Sequence, residues 1–250
     1  MVLLVIVVLI WWWNNQRPDS ISQNSPQGTV EWQFIDQQWQ PSSTPPACPE
    51  PLEFPAPIDV SLVSGMIYPG QIRGTDFKAH GGFRFDSLGH NQVEVRAIMD
   101  GYVTKAARYE QGGEVQYFFF YVNDCGIMVM NDHLKKPVPK LQEMFDQLPL
   151  GANGDSRTTE PQPRVFIEKG ELLATEIGFS DNVFLDLGVY DLRQQNAVEF
   201  SEDFARQHPS IDEYGRNALC WLDYLESADR QVVQALPAGG IEGKTSMYCE

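Results

Sequence analysis

The side chains of this chain that could do chemistry at neutral pH are few. It has four histidines, at 80, 90, 133 and 208, and four cysteines, at 48, 125, 220 and 249. Histidine is the usual acid, base or metal ligand near pH 7. His90 follows Gly89 and reads as part of an exposed turn, and His208 precedes Pro209 at the start of a helix, a structural place. His80 and His133 fall within a strand-rich stretch. No Cys-x-x-Cys occurs, which argues against a structural zinc site. There is no Gly-x-Ser-x-Gly elbow for a serine hydrolase and no phosphate-binding loop. Asp181 and Asp186 have the composition of a glycosidase pair, but carboxylates at such spacings are common on surfaces.

Around these residues the elements are mostly strands. Val93, Val95 and Ala97 alternate with Glu94 and Arg96, and Asp100-Gly101 follows as a hairpin signal. Tyr117–Val122 is an aromatic and β-branched run suited to a buried strand. Asn123–Gly126 makes a turn before a strand at Ile127–Met130, and further strands are expected at Glu171–Ile177 and Val183–Leu192. Residues 149–163, polar and rich in Gly, Pro and Thr, read as a surface loop. The tail changes period. Ser210 and Glu213 have capping-box spacing, and Ile211, Tyr214, Ala218, Leu222 and Leu225 recur at helical steps. Ser227 is the expected cap of a second helix carrying Val232, Val233 and Leu236 on one face, with Gly239-Gly240 after it.

Read in order, these segments resemble the LytM-type, M23-family peptidases, β-rich zinc enzymes that cut peptide bonds in peptidoglycan. The resemblance rests on His80-Gly81-Gly82-Phe83-Arg84, on Val95–Val103 with its Asp100-Gly101, and on His133-Leu134. It continues through Ile167–Leu173 and ends on Phe184-Leu185-Asp186-Leu187-Gly188-Val189, and covers roughly residues 58–193. It implies a mainly β fold, a LytM/M23-like antiparallel sheet of barrel-sandwich-hybrid type with a short α-helical C-terminal tail. It also implies a site in which the family pattern, His-x-Gly-x-Asp and a late His-x-His, holds zinc. Here His80 keeps the first ligand slot, Arg84 stands in the Asp slot, and Phe184 and Asp186 stand where the His-x-His pair belongs. His133 keeps the place of the remaining catalytic histidine. Arginine cannot ligate and phenylalanine has no donor. Asp86, two residues past its slot, would share the face of Arg84 on a regular strand. His80, Asp86 and Asp186 would then form an oxygen-rich metal site unlike the usual zinc set.

The expected function is therefore an M23-like domain without peptidase activity, a pseudo-peptidase that expects no cofactor. Its old groove, lined by His80, Arg84, His133, Phe184 and Asp186, would bind a peptidoglycan peptide or an envelope protein such as a cell-wall hydrolase. Two alternatives are a zinc metallopeptidase with a rearranged site and a structural envelope-assembly module.

Length and composition set the address. The 250 residues fit one sizeable domain with tails, and 42% hydrophobic residues suffice for a core. A net charge of −16 without a Lys/Arg cluster argues against nucleic acid as a partner. The opening run Val2–Trp13 has twelve uncharged residues. At 1.5 Å per residue it covers ~18 Å, short of the ~30 Å hydrocarbon core, and its tryptophans suit a membrane interface. Residues 1–14 are expected as an uncleaved signal-like membrane anchor of a cell-envelope, extracytoplasmic protein, the alternative being a buried strand. Residues 15–57, rich in Gln, Ser and Pro, read as a linker in which Trp32, Phe34 and Trp39 could dock onto the domain. The β domain spans 58–193 and the helical extension 194–250. Four cysteines behind an export-like segment permit two disulfides in three connectivities, or four reduced thiols. Cys220 with Cys249 is the expected pair, because it would pin the tail to a helix.

Overall fold

The computed structural model describes residues 29–249, so the hydrophobic run expected as an anchor lies outside the described residues. Among the described residues no helix is long and apolar enough to cross a membrane.

The fold is mainly β. The strands, in chain order, are β1 (Trp32–Ile35), β2 (Gln38–Pro41), β3 (Gly65–Ile67), β4 (Gln71–Arg73), β5 (Asp76–Lys78), β6 (Gly81–Arg84) and β7 (Val95–Arg96). They continue with β8 (Gly101–Gln111), β9 (Glu114–Val122), β10 (Ile127–Leu134), β11 (Leu150–Gly151), β12 (Phe166–Ile167), β13 (Leu172–Ala174) and β14 (Phe184–Asp191). The main sheet runs β11-β8-β9-β10-β14-β6-β3, with β12 also on β8. Its pairs are antiparallel except β11 with β8. The α-helices among the described residues are α1 (Pro139–Asp146), α2 (Glu202–Gln207), α3 (Ser210–Glu213) and α4 (Ser227–Ala235).

Strand alternation divides the sheet into two faces. Leu185, Leu187 and Val189 of β14, with Phe119 and Tyr121 of β9, enter a large core closed by β7, β13, α1 and α4. Phe120 and Val122 of β9, Met128 and Met130 of β10, and Tyr190 of β14 point the other way. There they meet Ala205 of α2, Ile211 of α3 and Ala218. The C-terminal segment thus covers one end of this second face.

Three sequence expectations change. The hairpin lies not at Asp100-Gly101 but at Gly112-Gly113, both at positive φ (62° and 82°), because the chain at Gly101 leaves the β7–β13 pair to enter the main sheet. The expected helix from Ile211 to Leu225 breaks after Glu213 into 3₁₀ turns at Gly215–Asn217 and Trp221–Tyr224. Backbone pairing of Ala218 with Tyr190 and of Leu219 N with Val189 O draws this stretch onto the sheet instead. Ser227 is the first residue of α4, whose N-cap is Glu226, with no side-chain capping bond. In residues 29–57, the described part of the stretch read as a linker, Trp32 and Trp39 dock onto the domain in the way the sequence reading allowed. Trp32 Nε1 donates to Asp124 O (3.3 Å), Trp39 Nε1 donates to Glu213 O (2.8 Å), and Phe54 is buried. Cys48 is bonded to Cys125, and Cys220 to Cys249.

Candidate functional site

Three neighbouring strands bring the expected groove residues together. In the β6–β14 register Arg84 faces Phe184 and Gly82 faces Asp186, and in the β10–β14 register Asp132 faces Asp186. Gly82 is what lets the carboxylate lie against the sheet, since a Cβ there would stand 2.4 Å from Leu185 O and 2.9 Å from Asp186 Oδ1. His80, just before β6, places Nε2 3.1 Å from Asp186 Oδ2. His133 Nε2 is 4.0 Å from the same oxygen. The His133 ring centroid lies 4.3 Å from that of Phe184 and 5.6 Å from that of Phe179. The Arg84 guanidinium sits over the Phe184 ring, 5.6 Å from its centre. All five residues, His80, Arg84, His133, Phe184 and Asp186, therefore form one continuous cluster.

His133 is held in an uncommon backbone conformation, φ 63°, where β10 shifts register against β9 between Asn131 and Leu134. A non-glycine residue there costs about 1–2 kcal/mol, and such strain tends to gather at functional positions. It is held by His133 N donating to Asp132 Oδ1 (2.6 Å) and by His133 O accepting from Gly178 N (2.7 Å). Tyr109 OH donates to the same Asp132 oxygen at 2.8 Å.

Three basic groups keep Asp186 charged. Burial pushes its carboxyl up, but His80, Arg73 and His133 together outweigh burial and hold it well below the usual carboxylate range. For His80, burial dominates and pulls the imidazole below its ordinary value, against the opposing pull of Asp186. The pair is thus a neutral imidazole donating from Nε2 to a carboxylate. Tyr109 is pushed up, by burial first and by Asp132 next.

Asp86 does not join this cluster. Strand β6 ends at Arg84, so the step of two that would return residue 86 to the same face has no strand to run on. Its Oδ1 accepts from Arg84 NH2 at 2.5 Å, its amide donates to Ser64 Oγ at 2.8 Å, and the residue is exposed. Sequence reading also missed Arg73, whose NH1 is 4.0 Å from Asp186 Oδ1 and whose NH2 donates to His80 O at 3.1 Å. Nothing in Gln71-Ile72-Arg73-Gly74 marks it; the short β4–β5 hairpin delivers it. Asp132 and Tyr109 were missed as well, though the strand partner of Asp186 lies directly opposite it on the neighbouring β10.

This donor set does not fit zinc. A catalytic zinc needs three converging protein donors and an open position. The ligand slot at Arg84 carries a cation, Asp186 is already hydrogen-bonded to His80, and the Arg73 guanidinium stands beside it. Among the described residues no group of three or more His, Cys, Asp or Glu side chains is arranged to hold a metal ion.

A cleft of about 480 Å³ lies elsewhere, between the N-terminal segment and the start of β8, lined by Leu52, Phe54, Met99, Tyr102, Phe166 and Lys169 among others. It contains none of the groove residues.

No protein-family model matches the chain, and no curated protein matches it in sequence. Among solved structures it is similar to Csd3 of Helicobacter pylori, at 10% identity and a TM-score of 0.39, over 81% of this chain and 45% of that one.

Proposed function

We propose that this chain carries an M23-like domain whose groove binds an extended peptide without cleaving it, a peptidoglycan stem peptide or a segment of an envelope protein. One observation carries the reading. Asp186, in the slot that the family resemblance gives to a zinc ligand, is hydrogen-bonded to His80 and flanked by Arg73. Arg84 and Phe184 stack on each other where two further donors would be needed. Asp186 gives Oδ2 to His80 and has a guanidinium 4.0 Å from Oδ1, a positive charge that opposes a metal ion there, and a phenyl ring offers a developing oxyanion nothing. The same residues suit recognition. The Arg84 guanidinium is held only by the exposed Asp86, a carboxylate that a peptide carboxylate would replace, and Phe184 and Phe179 offer apolar surface beside it. The place of such a domain is the cell envelope, tethered through the N-terminal hydrophobic run.

The test uses the full chain on purified peptidoglycan. Wild type should be retained, and Arg84→Ala should lose retention roughly tenfold, about 1.4 kcal/mol. Equal and negligible retention of both overturns the proposal. Metal analysis of the same preparation should give well under one zinc per chain. Stoichiometric metal with turnover that a chelator abolishes would instead establish the metallopeptidase reading.

A further inference from the structure

The chain beyond α4 does not trail away. Met66 of β3 donates to Pro237 O (2.9 Å) and accepts from Gly239 N (2.6 Å), a parallel bridge that closes the outer edge of the main sheet. Gln71 Nε2 then donates to Gly243 O (3.0 Å) and Thr245 O (2.7 Å), and Ser246 Oγ donates to Pro69 O (2.6 Å). Met247 N donates to Gly70 O (3.0 Å), and Tyr248 OH donates to Gly215 O (2.9 Å). Cys249 ends the strap in a disulfide with Cys220.

The strap and the helix before it are held by different forces. Up to Val233 the segment is anchored by apolar burial, with Trp221, Leu225 and Val233 at 0% exposure in the large core. After Leu236 the anchors are hydrogen bonds, Tyr248 and the disulfide, while Ile241 is fully exposed. A segment with so little buried apolar surface opens locally without the rest unfolding, unless a covalent bond closes it.

The strap also reaches the groove. A Cβ on Gly239 would stand 2.5 Å from Arg84 Cγ, so the strap backbone presses directly on the arginine stem. That stem carries the guanidinium lying over Phe184, and Phe184 packs on His133. Backbone, arginine, phenyl and imidazole form one stack running from the sheet edge to His133.

We propose that the Cys220–Cys249 disulfide is a latch on this strap, and that opening it frees residues 237–249 from β3 and releases Arg84 from Phe184. The opening is thiol–disulfide exchange with a dithiol reductant. Its thiolate attacks Sγ of Cys249, the less buried of the two, and Cys220 leaves as a thiolate and takes up a proton. The reductant's second thiol attacks its own sulfur in the mixed disulfide and frees Cys249. Two electrons pass to the protein, and the reductant becomes a disulfide. The consequence for ligand affinity rests on the peptide-groove reading above; the latch itself does not.

The experiment is amide exchange on the full-length protein, wild type against Cys249→Ser. The amides of Gly239, Met66 and Met247 should exchange at least ~10-fold faster in the variant, while those of Val129 and Leu187 keep their rates. Gln71→Ala, which keeps the disulfide and removes two hydrogen bonds, should loosen the strap less. Strap amides unchanged in Cys249→Ser overturn the latch. Equal acceleration across β10 and β14 overturns it too, since the disulfide would then staple the whole domain. Peptidoglycan retention is read on the same variant and should rise severalfold. A strap that opens while retention stays absent in both proteins leaves the latch standing and defeats the groove reading alone.

Discussion

Leu185, Leu187 and Val189 leave β14 toward the large core, each at most 1% exposed, whereas Phe184, Asp186 and Tyr190 leave the same strand toward the opposite face. One side is uniform and apolar. The other carries a half-exposed ring, a buried charge and a buried phenol within seven residues. The first side is where folding free energy accumulates, since apolar burial is its dominant favourable term. The second bears a carboxylate that needs His80 and Arg73 to stay charged and lies beside a backbone held in strain at His133. A strand built only for stability would not arrange its outer side this way. The contrast separates the side of β14 that packs the core from the side that carries the Asp186–His80 pair.

That contrast predicts a ranking. Leu187→Ala removes a fully buried side chain from the core and should cost about 2–5 kcal/mol in chemical denaturation. Asp186→Ala, one residue away on the other side, strands the His80 donor and should cost about 1–3 kcal/mol. Asp186→Ala matching or exceeding Leu187→Ala would erase the division between the two sides. Trp39→Phe, at the end of the second face covered by the C-terminal segment, keeps an aromatic ring, though a smaller one, and loses one hydrogen bond to Glu213 O. It should cost about 0.5–1.5 kcal/mol. No measurable loss there would mean that the β1–β2 hairpin rests on the domain without holding it.

The same division explains what could be read from the sequence. Aromatic and β-branched runs announced β9, β10 and β14, because a buried strand must be apolar whatever it does. That His80, Arg84, His133, Phe184 and Asp186 lie together was legible through the order of their motifs. Asp86 was misplaced because a period of two was carried past the end of β6. Arg73 was invisible because its role depends on a hairpin folding back to His80, which no local pattern encodes. In 29–57 the large aromatic side chains of Trp32 and Trp39 stood out as docking groups, whereas Phe54 and Cys48 are single residues in a Pro- and Gln-rich stretch with no period to mark them. Helical spacing from Ile211 to Leu225 was real but lost to tertiary contact: those apolar residues found partners on the sheet without completing the helix.

The smallest expected effect is the dependence of stability on pH, and it sharpens the contrast because it comes from the groove side of β14. His80 titrates below 6.5 in the folded protein, so between its lowered value and 6.5 the unfolded chain binds more protons. Stability from this group is complete above that window and falls as pH drops through it. Asp186 is held below 3.8, so its contribution is present above 3.8 and is lost only as pH falls through the lower folded value. Denaturation midpoints against pH should therefore show a decline beginning below about 6.5 and a further one below about 4. Comparison with single variants removes the background from the other carboxylates. His80→Gln should abolish the upper decline, and Asp186→Asn should flatten the lower one. If His80→Gln keeps the upper decline in full, the imidazole is not held neutral against Asp186, and the paired groove described above is wrong at its centre.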